Sequence, residues 1–408
     1  MDFRPILSTL LRHKTAAALI VLEIALSCAI VCNALFLINE RAQAASRDSG
    51  IAESELLHIN LGGIGTGTDA DARTREDVAA LRAIPGVTGA TTTNQLPFSS
   101  NASTSGFSLA PGQERSSLEA ATYQVGDDFV RTMGIRLVAG RDFHPGEYVQ
   151  ASDLARMTDF SKVSSVAIVS AEMAARMFPG ETALGKTIYM GPIPLTIVGI
   201  AQALARPLPL DDGNMTHSII LPLRMSYADG GSYMIRVADP ARRAEILKAA
   251  VATLERVDPN RLVLQEQTYS EIREDYFRAD REMIVLLSVV CIALLVVTAF
   301  GIVGLASFWV QQRTKQIGIR RALGATRGQI LRYFQLENFL LASIGIAFGM
   351  LLAFAINQLL MSKYELPRLP LAYLPIGAAV LWLLGQLAVL APARRAAAVP
   401  PAIATRTA

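Results

Sequence analysis

The polar stretch from residue 39 to residue 282 contains no cysteine. A disulfide framework is therefore excluded as the scaffold of that region. The three cysteines of the chain, Cys28, Cys32 and Cys291, all fall inside apolar runs. Histidine is almost as scarce. His13, His58, His144 and His217 are scattered, and no Cys/His cluster has the spacing of a metal site. Charged residues make up 18% of the chain, against about 25% in an ordinary soluble domain. No Ser/His/Asp order and no carboxylate pair stands out from spacing, so no catalytic residue, metal or cofactor is expected on this chain. Nucleic acid is not expected as a partner.

What the chain has instead is apolar length. Four runs, 15–38, 283–310, 334–361 and 371–392, reach the 20 or so residues that cross a bilayer. Ala42-Gln43-Ala44 resembles a signal cleavage site. The run from Thr15 to Ile38 is, however, longer than the roughly 7–15 residue core of a signal peptide, so it reads as a first span. The stretch between the first two spans has room for one large domain or two small ones.

Charge sorts the topology. The pieces 1–14, 311–333 and 393–408 together hold twelve Lys and Arg and one acid, Asp2, a net of +11, while the whole chain carries +3. Basic short loops stay on the cytoplasmic side. Both termini and the 311–333 loop are therefore expected inside, with 39–282 outside.

The 311–333 loop is the most informative part of the chain. Its segment Ile317, Gly318, Ile319, Arg320, Arg321, Ala322, Leu323, Gly324, Ala325 can form a short amphipathic helix. A solvated basic loop would explain the charge but leave Ile317, Ile319 and Leu323 in water. Docking into a groove on a soluble partner explains both, with Arg320 and Arg321 meeting acids on the groove rim. Two acids lie within the spans. Glu23 is about 13 Å deep at 1.5 Å per residue, where a charge is costly; a protonated or hydrogen-bonded packing role is preferred to a proton path. Glu337, nearer the edge, is within reach of Arg332 or Tyr333. Gly345 and Gly349 form a GxxxG, which lets helices approach closely.

One motif misleads. Gly180-Glu181-Thr182-Ala183-Leu184-Gly185-Lys186-Thr187 matches the phosphate-loop pattern letter for letter. Such a loop needs a strand before it and a helix after it. Here a helix, Ser170 to Met177, comes first. A hairpin with Gly191-Pro192 at its turn, Thr187 to Ile200, follows. The motif is read as a decoy. Elsewhere the outer stretch reads as α+β. Strands are expected over 55–61, 87–92, 119–125, 233–237 and 261–265, helices over 73–84, 127–133 and 241–257, and a polar loop over 98–106. The rhythm is similar at both ends and different in the middle, which suggests a split domain carrying an insertion. Residues 268–282 form a charged helical pattern leading into the second span, with 39–50 as its opposing half. Leu208-Pro209-Leu210 is a candidate exposed hook, though a buried loop is preferred.

Three phrases resemble one family. Ile317-Gly318-Ile319-Arg320-Arg321-Ala322-Leu323-Gly324-Ala325, the phrase Gly134-Ile135-Arg136-Leu137-Val138-Ala139-Gly140-Arg141-Asp142-Phe143, and FPGETALGKTI resemble the MacB/FtsX superfamily of ABC permeases (type VII, mechanotransmission), with Gln316 where an acid is common. The resemblance implies an inner-membrane protein of four transmembrane helices with a large α+β extracytoplasmic domain. It implies a porter at about 39–97 and 232–267, a Sabre-like insertion at about 98–231, and a stalk. It also implies a GxxxG that packs within one protomer. ATP would be bound by a separate ABC ATPase subunit, since fourteen residues precede the first span and no Walker B or Q-loop-like segment follows. A second permease chain, identical or not, a membrane-fusion adaptor and a TolC-like duct are implied as partners. Two other family readings stay open: a LolC/LolE-like lipoprotein-releasing permease, and an FtsX-like regulator of a cell-wall hydrolase.

Overall fold

Inside a bilayer a backbone satisfies its own polar groups by coiling, and each of the four apolar runs is helical in the computed structural model. The structure describes residues 14–63, 69–156, 165–209, 214–364 and 368–398. The expected basic residues Arg4, Arg12 and Arg406, with His13, lie outside them. The chain divides into two units, Met1–Ser46 with Ala279–Ala408, and Arg47–Arg278.

The first unit is a helical bundle. Its long helices are α1 (Lys14–Ala45), α8 (Arg278–Gln312), α10 (Arg327–Tyr364) and α11 (Tyr373–Ala398). All four are long and apolar enough to cross a membrane. Helix α1 packs against α10 and α11. Small residues permit the approach. A β-carbon on Gly345 would fall 2.8 Å from the Ile24 side chain, and one on Gly349 would fall 2.5 Å from Cys28 Cβ and 2.7 Å from the Ala25 carbonyl. The GxxxG of α10 is therefore filled by α1 of the same chain. Helix α8 touches the bundle along a single stripe, Cys291, Thr298, Ile302, Ala306 and Trp309.

The second unit holds two sheets. The smaller, in the order β13-β1-β12-β2, uses β1 (Leu56–Gly63), β2 (Val87–Thr93), β12 (Ser232–Val237) and β13 (Arg261–Thr268). Helices α2 (Ala70–Arg82) and α6 (Arg243–Val257) pack on it. A buried ion pair, Asp77 with Arg261, pins α2 to β13, and Tyr233 Oη donates to the same carboxylate at 2.5 Å. The seven-stranded sheet lies entirely between residues 98 and 231. Its order is β3-β4-β10-β7-β9-β5, with β8 on β9. Its strands are β3 (Thr104–Phe107), β4 (Leu118–Gln124), β5 (Leu137–Gly140), β7 (Ser165–Ser170), β8 (Thr187–Met190), β9 (Ile193–Ala201) and β10 (Ser218–Leu221). A two-stranded ribbon pairs β6 (Val149–Gln150) with β11 (Leu223–Arg224). Three short helices lie in the same stretch: α3 (Phe129–Met133), which packs on β2 and β12, α4 (Ala151–Arg156) and α5 (Ala171–Met177).

Three expectations change. The 98–106 loop contains the start of β3, which pairs with β4. Leu208 is 38% exposed, and Pro209 beside it is exposed as well. That loop tip is thus outside the core, while Leu210 falls outside the described residues. The 268–282 stretch is not one helix. Helix α7 (Tyr269–Tyr276) ends at Phe277, where α8 begins one residue later. Phe277 leaves the helical path to bury itself against Phe98, with ring centroids 5.1 Å apart. Phe98 holds φ at +52°, a strained value for a bulky residue that costs about 1–3 kcal/mol. The offset comes from the Tyr276 and Phe277 rings and from the Arg273 guanidinium 4.8 Å above the Phe98 ring.

His58 supplies a pH test of the smaller sheet. It sits on β1 opposite Met234 and Gln267. Its Nδ1 is buried with no hydrogen-bond partner among the described residues. Burial lowers its pKa from the ordinary 6.5 to about 4. The unfolded chain thus binds the proton more readily, and stability falls as pH drops from 6.5 toward 4. At 1.36 kcal/mol per unit the loss is about 2 kcal/mol at pH 5 and about 3 below pH 4. Hydrogen exchange of the β1 and β12 amides, corrected for intrinsic rate, is expected to show this loss, and His58→Phe is expected to remove most of it.

Candidate coupling site between the second and third spans

Helix α8 ends on Arg313, whose amide donates to the Trp309 carbonyl at 3.1 Å, and a short helix, α9 (Thr314–Ala322), starts at once. Two local signals then turn the chain. Gly324 takes φ +96° and donates to the Arg321 carbonyl, while Ala325 donates to the Arg320 carbonyl. This is a glycine-centred helix stop that satisfies orphan carbonyls. Thr326 and Gln329 next exchange side chain-to-backbone bonds at 3.3 and 2.9 Å, a capping box that opens α10. The wording Leu-Gly-Ala-Thr-Arg-Gly-Gln therefore encodes a tight corner between two helices.

A buried ion pair sets the direction of α9. Arg313 Nη1 donates to both oxygens of Glu337, at 3.0 and 2.9 Å. Glu337 is 1% exposed. The Arg313 guanidinium also lies 5.6 Å from the Trp309 ring centre. The expected partners of Glu337, Arg332 and Tyr333, are not the ones found. Arg332, five residues back, lies about 140° around the helix and is exposed, whereas Glu337 points inward. Its match is far in sequence and supplied by the packing.

The nine residues of the expected docking helix divide by face. Ile317 is buried with Ile330, Phe334, Ala393, Ala396 and Ala397, and Gly318 is buried beside it. Arg321 Nη1 donates to the Ala397 carbonyl at 3.1 Å, so this arginine serves the chain's own α11. Outward are Ile319, Arg320, Ala322, Leu323 and Gly324, with Ala325 half-buried. Leu323 is 83% exposed and Ile319 48%. The Arg320 guanidinium is steadied 5.1 Å over the Tyr333 ring. Lys315, Arg327 and Arg332 are exposed nearby. The outer face is thus an apolar pair ringed by cations. Leaving a leucine in water forgoes about 1.5–3 kcal/mol of burial, which a fitting groove would recover.

The other singled-out residues have plain surroundings. Glu23 rests its carboxyl against the backbone of α8 at Gly301, where a β-carbon would collide with it, and has no hydrogen-bond partner among the described residues. One turn on, Ser27 and Thr298 share a hydrogen bond of 2.7 Å. The 180–187 loop runs from α5 to β8. Its Lys186 pairs with Glu181 and lies 4.6 Å from the Phe178 ring centre, and the Gly185 amide donates to the Ile197 carbonyl at 2.8 Å. Cation and amide are both engaged within the fold.

The family model of the MacB-like periplasmic core domain matches residues 17–253, and that of the FtsX-like permease C-terminal region matches residues 288–401. The chain belongs to the MacB/FtsX-like permease family. The macrolide export ATP-binding/permease protein MacB of Chromobacterium violaceum is 26% identical over 301 residues, covering 70% of this chain and 43% of that protein. Its namesake from Neisseria gonorrhoeae is 27% identical over 257 residues, covering 59% and 36%. This permease thus spans less than half the length of these curated relatives. The periplasmic region of MacB from Actinobacillus actinomycetemcomitans overlays with a TM-score of 0.34 at 16% identity, covering 57% of this chain and 97% of that one. The family places the α+β unit in the periplasm and makes the chain a multi-pass inner-membrane protein.

Removing one half of the buried pair leaves the other charge stranded, which costs about 3–5 kcal/mol, whereas replacing both by apolar residues is close to neutral. Glu337→Ala is expected to lower the melting temperature of the detergent-solubilised chain markedly. Arg313→Met with Glu337→Leu is expected to restore most of it, as read by thermal loss of the monodisperse size-exclusion peak.

Proposed function

We propose that this chain is the permease subunit of a MacB-like ABC transporter. A separate ATPase subunit hydrolyses ATP, and the permease converts that work into motion of its periplasmic unit, driving export of a substrate such as a drug or peptide across the envelope. The observation that carries the reading is the outward face of α9. Ile319 and Leu323 stand in the open, ringed by Arg320 and Lys315, on a helix whose other face is anchored. This is the form of an anchor for an apolar groove with an acidic rim. The charge bias of the sequence supports a cytoplasmic position for the α9 segment and the termini, where ATP is available. Force applied to α9 would enter α8 through Arg313 and α10 through Glu337. It would travel along α8, whose outer end is tied to α1 by the ion pair of Arg41 and Asp280.

The partners follow from this reading: an ABC ATPase, a second permease chain, and on the periplasmic side a membrane-fusion adaptor with a TolC-like duct. The relatives are named as macrolide exporters with ATP binding in the same protein, and this chain covers under half of their length.

Purification from native membranes is expected to bring down an ATPase. Leu323→Asp changes an exposed side chain, so insertion and melting temperature should hold while stimulation of that ATPase falls at least tenfold. Ile317→Asp, on the buried face, should instead fail to fold. Unaltered stimulation in Leu323→Asp would remove α9 as the coupling element, and lipoproteins or a cell-wall hydrolase in place of the duct would move the assignment to a different branch of the family.

A further inference from the structure

A cleft of about 430 Å³ opens in the periplasmic unit where α2 of the smaller sheet faces the loop after β4 and the β6/β11 ribbon. Its size is in the range of about 300–1,000 Å³ that small-molecule sites occupy. Polar ties link the walls to one another. Arg224 grips both oxygens of Asp127 at 2.7 Å. Arg82 donates to the Ala90 and Asp127 carbonyls at 2.8 and 3.2 Å. Ser152 donates to Asp71 at 2.5 Å. The Asp127 carboxylate is thereby neutralised by its own arginine, and Asp71 has one oxygen engaged.

Two lining groups are unspent. Arg75 is exposed on α2 and has no ion pair or hydrogen bond among the described residues. Thr91, on β2, is 1% exposed, and its hydroxyl has no hydrogen-bond partner among them. Arg75, Val78, Ala79 and Arg82 fall at i, i+3, i+4 and i+7, so one face of α2 presents a cation, an apolar patch and a second cation in order. Met225 faces the cleft with them.

The geometry points to a binding site for a small organic anion, with its carboxylate or phosphate on Arg75 and its apolar body against Val78, Ala79 and Met225. The site belongs to the periplasmic unit alone and does not depend on the ATPase coupling proposed above.

The test uses the full chain in nanodiscs without any ATPase, titrated calorimetrically with phenyl phosphate and with benzylamine as the cationic counterpart of similar size. Saturable binding of phenyl phosphate is expected, with none for benzylamine. Loss of a charge-assisted contact weakens binding by about tenfold or more, which is the expectation for Arg75→Glu. Ala79→Trp, which fills the apolar patch, is expected to abolish binding. Both positions are exposed, so both variants should keep the circular dichroism of the parent. Absence of saturable phenyl phosphate binding, equal binding of benzylamine, or unchanged affinity in both variants would overturn the site.

Discussion

A polar group inside an apolar slab has no water to fall back on, and the helical unit is arranged around that constraint. Asn33 of α1 donates to the carbonyl of Ala353 on α10 at 3.1 Å, and Asn357 accepts from the Leu369 amide at 2.9 Å. Trp382 of α11 donates to Ser343 of α10 at 3.1 Å. Such bonds form only if the helices come close, and Gly345, Gly349 and Gly377 let them do so. At one end the same constraint takes its strongest form in Arg313 and Glu337. Neither charge is tolerable alone, so each dictates where the other's helix lies. Helix α9 begins at the residue after Arg313. Its rotation, and hence which of its side chains meet water, follows from that pairing.

The periplasmic unit is joined to the spans, in sequence, through its two flanking strands. Strand β1 is the first strand after α1, and β13 is the last before α7 and α8. These two strands are hydrogen-bonded neighbours, paired from Leu57↔Thr268 to Gly63↔Arg261. The two flanks of the chain thus meet in one ladder. The seven-stranded sheet is spliced in between β2 and β12 and shares with the smaller sheet an apolar core that includes Leu56, Tyr123, Phe129, Met234 and Tyr269. The break at Phe277 belongs to the same logic. One aromatic side chain is withdrawn from the helical path to close the core, at the expense of a straight helix.

Much of the chain was legible as sequence because the signals are local. The spans announce themselves by length and composition. The β8/β9 hairpin turns at Gly191, with φ at +59°, as its Gly-Pro wording suggests. Helix α5 precedes the phosphate-loop wording and β8 follows it, an order legible from period alone. Strands β7 and β10 escaped notice. SVAIVS and SIIL are short buried runs without alternation, and such runs carry no periodic signal that separates them from helix or loop. The start of β3 hid in polar residues whose strand character comes only from pairing with β4.

The sequence by itself determined which segments are long and apolar enough to cross the membrane, the helix-then-hairpin order on either side of the 180–187 loop, and that the 317–325 segment is basic and amphipathic. Propensity, period and cap chemistry act over a few residues and need no partner. Only the tertiary structure decided that Glu337 belongs to Arg313, that Ile317 and Arg321 face inward while Ile319 and Leu323 face out, and that α2 and the β6/β11 ribbon enclose a cleft around Arg75 and Thr91. Those outcomes depend on how each helix is rotated against neighbours distant in the chain. That rotation is set by packing and by the cost of stranding a buried charge.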